Sequence, residues 1–148
     1  MKRRILEICL ALAIGAFTCA ESYALIGVIL AYTIEKHIIL YKWIYYLPKA
    51  YRGYAVLAHG TAELSFIAIP LIALLGTALG LFIRKGPVQY GVFAACGAIS
   101  YDIFMAVYTF GDVVFPPWIY IANAIIWIPS FILFTNIGYR LRKRRPTA

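Results

Sequence analysis

The chain has 148 residues, of which 64% are hydrophobic and only 14% charged, with a formal net charge of +8. Soluble domains are about half apolar and about a quarter charged, so a water-soluble fold of this size is excluded. So are collagen-like, disordered and disulfide-scaffold chains, and the basic balance reads as topogenic rather than as nucleic-acid binding.

Four apolar stretches follow in order: Ile5–Ile34, Tyr54–Ile83, Val88–Phe110 and Trp118–Tyr139. A helix needs roughly 20 apolar residues to cross a ~30 Å hydrocarbon layer. The third and fourth stretches fit one crossing each, and the second is long enough to tilt. The first is too long for one straight crossing, and Glu21-Ser22-Tyr23 interrupts it. It is expected to be either a broken helix or a crossing followed by an interfacial segment. Its basic-then-apolar start is similar to a signal peptide. Glu7 inside the run, and apolar sequence continuing past Tyr23, argue for a retained span. The expected fold is all-α, a single polytopic membrane bundle of about four helices.

Between the first two stretches, residues 35–53 form an expected outer loop, in which lysines and aromatics alternate with aliphatics. Trp43, Tyr45 and Tyr46 suit an interfacial belt, and an ordinary connecting helix fits equally well. Leu47-Pro48 is expected to end that segment. The second outer turn, Gly111–Pro117, carries Asp112 and no basic residue.

Ten of the 14 lysines and arginines lie before stretch one, between stretches two and three, or in the tail 140–148. The tail supplies Arg140, Arg142, Lys143, Arg144 and Arg145. Four crossings put all three groups on one side, which the positive-inside rule makes cytoplasmic. The expectation is a multi-pass protein of the cell membrane with both termini cytoplasmic. The tail could also touch anionic headgroups, at about 1 kcal/mol per basic residue.

Glu21, Glu63 and Asp102 stand inside the spans, and His59 stands near Glu63. Ionisable groups in a membrane are costly, which makes each a candidate functional residue. At ~1.5 Å rise per residue, Glu21 lies about 24 Å and Asp102 about 21 Å from the inner ends of their helices. Glu63 lies about 9–14 Å, and Asn123 about 8 Å, below the outer surface. All four helices thus place a polar residue in the outer half, which predicts one shared cluster of Glu21, His59, Glu63, Asp102 and Asn123. His59 and Glu63, at i and i+4, share a helix face and are weak candidates for metal ligands. The di-iron spacing is absent. His37 and His59 lie on opposite sides of the outer loop, so no haem site is expected. No cofactor is implied.

Gly76 and Gly80 form a G-x-x-x-G pair suited to close helix contact. Pro70 and Pro129 are expected to kink their helices. Cys9, Cys19 and Cys96 are odd in number and have no C-x-x-C spacing, so they are expected to act as small buried apolar residues.

The segment Ala58–Gly80, AHGTAELSFIAIPLIALLGTALG, resembles the stage II sporulation protein M family of integral membrane proteins. His59, Gly60, Glu63 and Leu64 fill the family's His-Gly-x-x-Glu-Leu motif, and Gly76 and Gly80 its glycine-rich end. Ile26–Tyr32 looks like the family's Leu-Gly segment, so the similarity covers about residues 22–80. The family's asparagine-glycine pair is replaced by Glu21-Ser22, and the proline before its histidine by Ala58. The resemblance implies a non-enzymatic scaffold or subunit of a membrane complex, with the bilayer and other membrane subunits, or copies of itself, as partners. The residues alone leave a second function open: a small oligomeric proton-coupled transporter using the buried carboxylates Glu21, Glu63 and Asp102.

Overall fold

The computed structural model describes residues 2–110 and 117–144, with side chains for 3–29, 42–56, 58–108 and 121–144. Asp112 and Arg145 lie outside the described residues, as do the side chains of Glu35, Lys36 and His37. The described elements are α1 (Lys2–Tyr41), a short 3₁₀ helix (Lys42–Tyr46), α2 (Lys49–Phe82), α3 (Pro87–Phe110) and α4 (Pro117–Arg144). Four segments are long and apolar enough to span a bilayer: Arg3–Ile29, Lys49–Phe82, Pro87–Tyr108 and Ile121–Arg144.

Two sequence expectations change. The first stretch is one continuous helix of 40 residues, unbroken at Glu21-Ser22-Tyr23. Ser22 avoids competing with the backbone outside the helix by bonding back to the Thr18 carbonyl at 2.7 Å, and Thr18 does the same to Ile14. The outer loop is also much shorter than residues 35–53, because α1 runs to Tyr41 and α2 begins at Lys49. No proline or glycine occurs from Val28 to Leu47, so nothing in the backbone stops the helix where hydropathy falls. Pro48 sits at the N-cap of α2 with φ −53° and ψ 141°. Pro70 and Pro129 lie inside α2 and α4, each of which remains a single helix.

In the bundle α1 packs along α3, α2 along α4, α3 against α4 and α1 against α2. Glu7 meets Tyr90 and Tyr23 meets Asp102, so α1 and α3 run parallel. Gly76 lies beside Phe134 and Ile83 beside Arg142, so α2 and α4 are parallel too. Gly91 approaches Ile132 while Asp102 meets Asn123, which makes α3 and α4 antiparallel. The start of α1, the α2–α3 turn and the end of α4 therefore share one end of the bundle, here the termini end.

Small residues allow the helix axes to close up. On α1 the buried stripe is Ala11, Gly15, Thr18, Cys19 and Ser22, and on α3 it includes Ala94, Ala95, Gly97 and Ala98. A Cβ on Gly15 would fall 1.7 Å from the Ala94 carbonyl oxygen, and one on Gly97 would fall 2.1 Å from that of Leu12. The α2–α4 seam repeats the device: a Cβ on Gly80 would meet the Thr135 oxygen at 2.1 Å, and one on Gly138 the Thr77 oxygen at 2.0 Å. Gly76 is looser, with Phe134 Cβ at 3.2 Å from the same construction. Between these contacts the interior is filled by Ile72, Leu79, Trp127 and Phe131, all essentially without exposure. Such backbone contact suits association in lipid, where dispersion and polar contacts replace the hydrophobic effect.

The outward surface is rich in large apolar side chains, among them Phe66, Leu74, Phe82, Phe104 and Ile125. Cys9 and Cys96 also face outward, and only Cys19 is buried, which corrects the expectation for two of the three thiols. In a bilayer an outward cysteine remains in apolar surroundings. The turn between α2 and α3 needs Gly86, whose φ of +69° is strained for other residues, and Pro87 opens α3 where no N–H is required.

Candidate functional site

Asp102, 4% exposed, stands on the face of α3 between α1 and α4. The Tyr23 hydroxyl of α1 donates to its Oδ1. The Asn123 amide of α4 donates to its Oδ2 at 2.8 Å. Both carboxylate oxygens are thus engaged, each by a different neighbouring helix. A buried carboxylate needs such donors, and phenol and amide supply them without adding charge. Asn123 is itself 2% exposed, and its Oδ1 has no hydrogen-bond partner among the described residues. One turn further along α4, the Trp127 Nε1 is buried in the same condition. The trio therefore sits at the edge of a small polar stripe on an otherwise apolar helix face.

His59 and Glu63 form a second group. His59 Nε2 lies 3.4 Å from Glu63 Oε1, both on α2, and each side chain is 25% exposed. Trp43 of the 3₁₀ helix meets the His59 ring edge-on, with centroids 6.4 Å apart at 81°. Ile44 beside it is buried, so the connection between α1 and α2 folds down onto this face. Arg52 holds that connection: its Nε donates to the Leu47 carbonyl at 3.0 Å and its Nη2 to that of Tyr45 at 2.7 Å.

Of the five polar residues expected to form one cluster, the hydrogen bonds and ion pairs among the described residues join two pairs. Asp102 and Asn123 meet, and His59 and Glu63 meet. Glu21 is half-buried on α1, and no hydrogen bond joins it to either group among the described residues. Nor does any group of three His, Cys, Asp or Glu residues able to hold a metal occur among the described residues.

Two partners were not legible from residue depth. Tyr23 is the first; in the sequence it stands as part of the Glu21-Ser22-Tyr23 interruption. The second is Tyr90, whose hydroxyl donates to Glu7 Oε2 at 2.8 Å, while Arg3 lies 3.3 Å from Glu7 Oε1. Glu7 thus ties α1 to α3 at the termini end, as Tyr23–Asp102 does further along. At the same end Arg142 Nη1 donates to the Ile83 carbonyl at 2.8 Å, placing a cation on the carbonyl terminus of α2.

Comparison with known proteins adds no relative: no family model matches the chain, and neither curated proteins nor solved structures provide a match.

Proposed function

We propose that this multi-span membrane protein is a non-enzymatic scaffold, or a subunit of a larger membrane complex. The observation that carries this is the use made of Asp102. Both its oxygens are spent on tying α3 to α1 and α4, so the one deeply buried acid among the described residues works as a clamp. The glycine contacts along both parallel pairs serve the same end, a bundle of fixed shape. Its outward aromatic surface, with Phe104 and Tyr108 stacked at 5.8 Å, offers area to lipid, to other subunits or to copies of itself. The termini end carries Arg3, Arg4, Arg84, Lys85, Arg140, Arg142, Lys143 and Arg144, which supports a cytoplasmic placement of that end. The His59–Leu64 resemblance to the stage II sporulation protein M family points to the same class of role, but the clamp does not depend on it.

The test compares Asp102→Ala with Asp102→Asn in purified and vesicle-reconstituted protein. A clamp loses thermal stability and assembly in the alanine variant, while asparagine keeps part of both because it still accepts a hydrogen bond. Wild-type vesicles are expected to show no proton-coupled uptake of cationic solutes. Uptake that disappears in Glu21→Gln, Glu63→Gln and Asp102→Asn would replace the scaffold with a proton-coupled transporter.

A further inference from the structure

The four described cations at the end of α4 are not equivalent. Arg142 is committed to the Ile83 carbonyl, and Lys143 lies over the Tyr139 ring, 4.9 Å from its centroid. Arg140 and Arg144 instead line a shallow hollow of about 230 Å³ with Ile137 and Leu141. Residues 137, 140, 141 and 144 fall at helical spacing on one outward face of α4. The apolar part of that face continues away from the termini end through Leu133, which is 55% exposed. Among the described residues no carboxylate pairs with either arginine.

We propose that this face binds one anionic phospholipid, its phosphate held between Arg140 and Arg144 and an acyl chain lying along Leu141, Ile137 and Leu133. The charge fits: two guanidiniums with no paired carboxylate among the described residues, one turn apart, match the oxygens of a phosphodiester. The polarity fits as well, since the arginines fall in the last turns of a span that begins at Ile121, where a helix leaves the hydrocarbon. A soluble phosphate would have no use for the apolar stripe that runs from the arginines back into the span. The site rests on the chain being embedded in a bilayer and not on its serving as a scaffold. Lipid retention by the isolated protein and assembly into a complex are separate readouts.

The experiment is lipid titration of the detergent-purified full chain, followed by native mass spectrometry, with phosphatidylglycerol and phosphatidylcholine as probes. Phosphatidylglycerol is expected to bind preferentially. The double variant R140Q/R144Q should weaken it about 25-fold, roughly fivefold per arginine. The variant R84Q/K85Q removes the same charge at the same end of the bundle and should stay within about twofold. Should the double variant fail to fold, Arg144→Gln alone, at the final turn, is expected to show the fivefold loss. Glycerol phosphate, which lacks acyl chains, is the third probe and should not compete at matched concentration. Equal losses in the two double variants would mean diffuse attraction and overturn the site. Unchanged binding in R140Q/R144Q would do the same, and competition by glycerol phosphate would overturn the lipid as occupant.

Discussion

Two polar groups in this bundle solve the same problem in opposite ways. Asp102 is almost completely buried and reaches across to two other helices for its hydrogen bonds. Glu63 is a quarter exposed and finds His59 one turn away on its own helix. A bond between helices constrains how they pack, whereas the His59–Glu63 contact joins side chains one turn apart on α2. In a bilayer, where helices gain little from apolar contact with each other, the first kind sets the register of the bundle. The second kind leaves a face at which another segment, here the one bearing Trp43, can rest.

The contrast can be broken most severely from outside either group. In Gly15→Ala the new methyl would collide with the Ala94 backbone, and α1 must move off α3. A loss of about 2–3 kcal/mol is expected in denaturant unfolding in detergent. The Tyr23–Asp102 bond should go with it, while the His59–Glu63 pair stays intact. Unperturbed stability would show that the α1–α3 seam is not set by backbone contact. Tyr23→Phe is gentler. It removes one donor from Asp102 and should cost about 1 kcal/mol, read as a lower unfolding midpoint. Glu63→Gln should be smallest, below the Tyr23→Phe loss, because glutamine keeps an acceptor and the side chain is a quarter exposed. A larger effect for Glu63→Gln than for Tyr23→Phe would reverse the ranking of the two groups.

The number of helices was legible because each apolar stretch is long and strongly biased. The length was legible for α3, expected over Val88–Phe110 and found over Pro87–Phe110, but not for α1, α2 and α4, because hydropathy marks where a helix leaves the bilayer and not where it ends. On α1 the α-helix gives way to a 3₁₀ turn after Tyr41, ahead of Pro48, and α2 ends at Phe82, ahead of Gly86. Depth arithmetic brought Asp102 to Asn123, since both positions follow from counting along apolar runs. It could not separate them from His59 and Glu63, because depth says nothing about which way a side chain faces around the helix. Tyr90 escaped because tyrosine counts as apolar in a run, and Tyr23 because it stands in a break of one, while the hydroxyl of each is the donor a carboxylate requires.

The parallel pairing also dictates the order in which this protein can be built. Neighbours in a parallel pair cannot be joined by a short turn, so α1 finds its long partner only after α2 has been threaded and α3 follows. Until then the small-residue stripe of Ala11, Gly15 and Cys19 has no mate. Likewise Gly76 and Gly80 on α2 have no mate until α4 follows. The first half of the chain is therefore a hairpin whose best contact surfaces are both reserved for the second half. Closure of the bundle is therefore a property of the whole chain.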